Sequence, residues 1–164
     1  MMNRFKLLPL VLLLFFLPGL VSATQLGEKL ATFKQQDMND NTIDMNSIIG
    51  KKPVMLVFWA SWCPNCKTEA AKVNQIVAQY KDRGMEFIGI NIGYNDSIAR
   101  ARSFIKKNKM AYPSVFDKSN RITRKYMVHG VPTVIVADAN GIVQFRNYGV
   151  PEITEAHFKQ LMGN

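Results

Sequence analysis

Cys63-Pro64-Asn65-Cys66 holds the only two cysteines of the chain, two residues apart. A pair at that spacing can cycle between dithiol and disulfide. It cannot build a four-cysteine zinc site or the several bridges of a disulfide-stapled miniprotein. The run Val54-Met55-Leu56-Val57-Phe58-Trp59 before it is continuously apolar and too short for a helix, as expected of a strand covered on both faces. After it, Cys66, Ala70, Val73, Val77 and Tyr80 recur at helical spacing as far as Gly84. The pair is therefore predicted to open a helix. Cys63 then sits near unsatisfied backbone N–H groups and the positive end of the helix dipole, which favour thiolate over thiol. Pro64 suits the first helical positions, because it lacks a donor that would be unpaired there. Cys66, one turn on, can attack a mixed disulfide formed at Cys63. Cys63 is the expected nucleophile and Cys66 the resolving thiol.

Two blander uses of the pair are weaker. A structural disulfide closing so short a loop removes only about 2 kcal/mol of unfolded-state entropy. A metal site would have to recruit His129 or His157, the only histidines, and none is predicted.

The elements that must hold this junction follow along the chain. Ala31 to Gln35 and Thr42 to Met45, around the turn signal Asn39-Asp40-Asn41, predict a short hairpin. Glu86 to Ile92 reads as a second apolar strand, Asp96 to Lys109 as a basic amphipathic helix, and Val115 to Asp117 as a short extended piece. Ser119 caps a predicted helix that runs to Tyr126. Pro132 to Ala137 is a third apolar strand, joined through Asp138 to Gly141 to a strand Ile142 to Tyr148, and Pro151 to Met162 closes as a helix. The fold class is α/β, with a mixed sheet covered on both faces.

The first 23 residues stand apart. Arg4 and Lys6 precede the apolar run Leu7 to Leu17, and Val21-Ser22-Ala23 presents small residues spaced for a signal peptidase. Cleavage after Ala23 is expected, leaving residues 24–164 as one domain. An uncleaved anchor is disfavoured, since the apolar stretch is shorter than the ~20 residues of a span and is interrupted by Pro9 and Pro18. Export, to a periplasm or beyond, places the cysteine pair where disulfides persist. Of the 21 basic residues two lie in this segment, so the remainder carries 19 against 12 acidic residues and a net charge of +7. That balance admits acidic partners or an anionic membrane surface. Nucleic acid is not an expected partner, because the basic residues are scattered between apolar elements rather than drawn into a stripe.

Trp59-Ala60-Ser61-Trp62-Cys63-Pro64-Asn65-Cys66, followed by Gly130-Val131-Pro132-Thr133, resembles the thioredoxin fold. More narrowly it is similar to the exported TlpA and ResA-like thiol-disulfide oxidoreductases, over most of residues 30–163, including the N-terminal hairpin and the helical insert at Asp96 to Lys109. The resemblance implies a cis Val131-Pro132 bond against the cysteines and a free Val131 backbone that pairs with an extended substrate. It implies Trp62 as an exposed contact residue and Trp59 as core. It further implies protein disulfides as substrates, such as those of cytochrome c maturation or copper-site assembly, a membrane-embedded thiol as electron donor, and no cofactor.

Departures from that pattern are visible. Val57 and Gly89 stand where thioredoxins carry a buried acid and a lysine, and Tyr94-Asn95 follow Ile92-Gly93 where a glutamate would be expected. Glu69 matches a glutamate of the branch and is expected on the helix surface, while Ala71 replaces a helix-kinking proline. A peroxiredoxin-like thiol peroxidase would need proline at Leu56 and threonine at Ala60. A copper-delivering carrier of this fold would need a three-residue spacer between its cysteines.

Val57 leaves the resolving thiol in apolar surroundings, which raise its pKa and make resolution the slower, pH-dependent step. Val57→Asp is expected to speed resolution near neutral pH while lowering stability, because it supplies a base and buries a charge. Stopped-flow thiol exchange checks this; resolution already independent of pH in the native protein would show that another group supplies the base.

Overall fold

A computed structural model describes residues 24–163; the expected signal segment lies outside them. Val54–Trp59 forms β3, buried at every position and central to a five-stranded sheet. On one side it pairs in parallel with β4, Glu86–Asn91, which pairs in parallel with β5, Ser114–Phe116. On the other side β6, Thr133–Ala137, runs antiparallel to β3, and β7, Val143–Tyr148, antiparallel to β6. A separate two-stranded hairpin pairs β1, Lys34–Gln36, with β2, Thr42–Asp44. Bridges from Lys29 to Ile142 and from Asp37 to Val115 attach this N-terminal region to the rest of the chain.

Four helices complete the fold: α1 at Pro64–Tyr80, α2 at Ile98–Lys107, α3 at Arg121–Lys125 and α4 at Glu155–Met162. The apolar stripe expected on α1 is buried, and Glu69 and Ile76 are buried with it. Trp59 stacks on Phe104 of α2 with ring centroids 4.9 Å apart, fixing the insert helix to β3. Phe58 packs on Tyr126, whose hydroxyl donates to the Ala31 carbonyl and thereby fastens the N-terminal segment.

Two helix starts differ from the expectation for one physical reason. Asp96 does not open α2, because its carboxylate is engaged elsewhere; Ser97 caps the helix by accepting from the Arg100 amide. Ser119 does not cap α3, because the buried Asp117 carboxylate takes both the Thr123 amide, at 2.7 Å, and the Thr123 hydroxyl. In each case the nearer hydroxyl is displaced by a carboxylate or displaces one according to what else the carboxylate can reach.

The parallel register sets Val57 beside Gly89, and Gly89 beside Ser114. A Cβ on Gly89 would collide with the Ser114 hydroxyl and come 3.0 Å from Trp59 Nε1. Space that a lysine would need is thus taken by two neighbouring side chains. Gly89→Ala should destabilise the protein by about 1–3 kcal/mol through overpacking. Urea denaturation measures this, and Ser114→Gly combined with it should recover part of the loss, since Ser114 is the obstructing residue.

Candidate active site

The site lies where β3 and β4 end, at the carboxyl edge of two parallel strands, the usual place for chemistry in such sheets. After Trp59 the chain turns through Ala60, Ser61 and Trp62 and enters α1 at Cys63. Cys63 is the N-cap residue in extended conformation, Pro64 is the first helical residue, and no acidic residue occupies the first turn. The Cys63 sulfur accepts a hydrogen bond from the Cys66 amide at 3.1 Å. Cys63 and Cys66 are joined as a disulfide, their Cα atoms 5.3 Å apart. Both are largely buried, at 5% and 3% exposure. Cys63, not Cys66, lines a shallow cleft of about 250 Å³.

Val131-Pro132 is a cis peptide. The Val131 carbonyl oxygen lies 3.6 Å from the Cys63 sulfur, so the loop and the cysteine pair are direct neighbours. Pro132 is buried and Val131 half-buried. The loop is held from several sides: the Thr133 hydroxyl donates to the Gly130 carbonyl at 2.7 Å, and the Gly149 amide donates to the Pro132 carbonyl at 3.3 Å. The Tyr148 ring closes over Gly130, where a Cβ would come within 3.0 Å of it.

Trp62 is 47% exposed, and its indole N–H donates to the Tyr94 carbonyl at 2.8 Å. Tyr94 is itself exposed. Trp62, Tyr94 and Tyr148, three of the five large apolar side chains left exposed among the described residues, thus stand on the segments that meet around Cys63. Exposed aromatic surface concentrated in one place marks a contact surface. His129 is exposed on the loop before Gly130. Among the described residues no group of three or more His, Cys, Asp or Glu could hold a metal.

Two contributors were not identified from the sequence. Asp96 has a side chain with no exposure. Its carboxylate accepts from the Ser61 amide and hydroxyl, both at 2.6 Å, from the Asn91 side chain at 2.8 Å and from the Ser97 amide at 2.8 Å. Burial by itself would raise its pKa, but these donors together outweigh that and hold it below the usual carboxylate range. Asp96 thereby pins the turn that carries Trp62 and Cys63. Its signal in the sequence was only an acid beside a serine cap, which is also the signature of an ordinary helix start.

Glu69, expected on the helix surface, is instead buried. One oxygen accepts from the Val150 amide at 2.6 Å, and the other pairs with Lys72 at 2.8 Å. It ties α1 to the segment that supports the Pro132 loop, because Gly149 beside it bonds the Pro132 carbonyl.

Comparison with known proteins agrees with this geometry. Residues 26–146 match the AhpC/TSA family. The thiol-disulfide oxidoreductase ResA of Halalkalibacterium halodurans is 28% identical over 142 residues, covering 86% of this chain and 79% of that protein. The thiol:disulfide interchange protein DsbE of Escherichia coli K12 is 35% identical over 113 residues, covering 67% of this chain and 58% of its own. A crystal structure assigned as a thiol:disulfide interchange protein DsbE from Chlorobium tepidum superposes with a TM-score of 0.69 at 26% identity, covering 85% of this chain and 94% of that one.

Asp96→Asn should cost about 2 kcal/mol, because an amide nitrogen would face donors from Ser61, Asn91 and Ser97. The folded-state pKa of Asp96 is depressed, so its contribution is complete above the unfolded value and fades as pH falls through the folded one. The stability gap between native and Asp96→Asn proteins, measured by urea denaturation, should therefore be widest at neutral pH and narrow as the pH falls below about 4. With its β3–α1 turn beside a cis-proline loop, its five-stranded mixed sheet and its sequence match over residues 26–146, the chain belongs to the AhpC/TSA family and is of the ResA-like thioredoxin-fold type.

Proposed function

We propose that this redox enzyme is an exported thiol-disulfide oxidoreductase that reduces disulfides in partner proteins. The observation that carries the reading is the Cys63 sulfur at the start of α1, accepting the Cys66 amide and lying 3.6 Å from the Val131 carbonyl. In the reduced enzyme the Cys63 thiolate attacks one sulfur of the substrate disulfide. The substrate S–S bond breaks, and its departing sulfur takes the electron pair and then a proton. Cys66 gives up its proton and attacks the Cys63 sulfur of the mixed disulfide, releasing the second substrate thiol. Two electrons and two protons reach the substrate, and the Cys63–Cys66 disulfide forms. A membrane-embedded thiol donor restores the dithiol.

Trp62, Pro64, Val131 and Pro132 frame the substrate in this reading. The Val131 backbone pairs with an extended segment, which requires little of its sequence, and Trp62 supplies apolar contact. Cysteines of haem attachment in cytochrome c maturation, or of a copper-site assembly factor, are the substrate classes proposed. The donor is met at the surface around Cys63, where the disulfide it reduces lies. Peroxidase chemistry is disfavoured by Leu56 and Ala60, which offer neither the proline nor the threonine of that pattern.

Cys63→Ser should abolish reduction of a disulfide peptide, and Cys66→Ser should accumulate mixed disulfides that non-reducing electrophoresis resolves. Trapping through Cys66 in the Cys63→Ser protein would reverse the roles and overturn the assignment.

A further inference from the structure

The cleft beside Cys63 has a chemical character of its own. Trp62, Cys63 and Pro64 form one wall and Phe104 of α2 part of the other, with Lys67 and Lys107 at its margin. Among the described residues no carboxylate lines it. Both lysines are exposed, and among the described residues neither side chain makes a hydrogen bond or an ion pair. Asp96, the acid behind Ser61, gives its carboxylate to four donors and to Arg100 Nε at 3.5 Å, and its side chain shows no exposed surface.

The position of Lys107 is set by the fold rather than by a mobile loop. The Phe104 ring stacks on Trp59. The end of α2 is clamped to α1 by Asn74, whose amide nitrogen donates to the Asn108 and Lys109 carbonyls at 3.1 and 3.0 Å, while its oxygen accepts from the Ala111 amide at 3.0 Å. Lys67 follows Cys66 directly in the first turns of α1. Two positive charges without an ion-pair partner among the described residues are therefore held at a cleft that Cys63 lines.

We propose that this cleft selects disulfides flanked by acidic residues, with Lys67 and Lys107 as specificity-determining residues that take an Asp or Glu side chain next to the substrate cysteine. The inference rests on the reductase reading above and adds the substrate's charge. Ion pairs at a solvent-exposed rim act mainly on the encounter rate and fall away with salt. The effect belongs in the second-order rate of attack.

The test uses the protein of residues 24–164, reduced with dithiothreitol and freed of excess reductant. It is mixed in single turnover with three disulfide peptides identical except for Glu, Gln or Lys beside the cysteine. At low ionic strength the Glu peptide should react roughly tenfold faster than the Gln peptide and the Lys peptide slower than both, with the spread closing at high salt. The readout is the ratio between peptides within each protein, so a change in thiol acidity, which moves all rates together, cancels. Lys67→Gln with Lys107→Gln should bring the Glu:Gln ratio to about one, and Lys107→Glu should favour the Lys peptide.

A Glu:Gln ratio near one in the native protein, or a ratio that survives in the double variant, overturns the proposal while leaving the reductase function intact. Oxidation of the protein by none of the peptides would overturn the reductase reading itself. Anionic phosphatidylglycerol vesicles that block all three peptides equally, with no ratio between them, would assign the lysines to a membrane surface and also overturn it.

Discussion

A carboxylate removed from water must be met by donors, and Asp96 collects them from three places: the turn after β3, the end of β4 and the entry to α2. Each hydrogen bond to a charged group contributes about 1.5–3 kcal/mol, and losing the acceptor leaves the donors buried and unmatched. The turn from Trp59 to Cys63 has no such fastening of its own. Through Ser61 it is tied to the neighbouring strand, and the direction in which α1 sets out follows. Asn91, which shares the carboxylate, also accepts from the Gly93 amide at 2.9 Å. Gly93 has a φ of +69° and lies against the Asp117 backbone, so no side chain fits there. One buried charge thus organises the ends of both parallel strands.

The redox chemistry depends on that placement. The Cys63 sulfur occupies the cap position where backbone N–H groups are unsatisfied, and the helix offers it the Cys66 amide. No acid in the first turn opposes the helix dipole. In the strands that lead to the pair, Val57 stands beside Gly89 and neither position carries an ionisable group. Cys63 lines the cleft and Cys66 does not, and it is this difference on which the proposed division of roles rests. On the opposite side Glu69 braces α1 against the segment that carries the Pro132 loop, so both halves of the site are anchored by buried carboxylates.

Around this core the surface is divided. Aromatic side chains at Trp62, Tyr94 and Tyr148 offer apolar contact, and Lys67 of α1 and Lys107 of α2 offer charge. In the proposed reduction an extended backbone pairing beside Val131 would read neither, and charge at the cleft would be the discriminating element.

Much of this was legible in the residues alone. Apolar runs bounded by turn signals located β3, β4 and β6, because strands buried on both faces need no polar alternation, and the turn at Asp138 to Gly141 located β7. Helical spacing after Cys66 located α1 and its buried stripe, and two cysteines at one helix start defined the reactive pair, since those are consequences of local chain geometry. The sequence therefore determined the order of elements and the cysteine pair, whereas the loop at Pro132 was legible only through the resemblance of Gly130-Val131-Pro132-Thr133 to the thioredoxin fold. Tertiary structure alone decided what the charged residues do. Asp96 looked like the start of α2 and Glu69 like a helix-surface charge; each acquires its role from groups distant in sequence, Ser61 35 residues from Asp96 and Val150 81 residues from Glu69. Periodicity records which side of an element is buried, whereas the partner of a buried charge is set by how distant elements pack, and no local pattern encodes that.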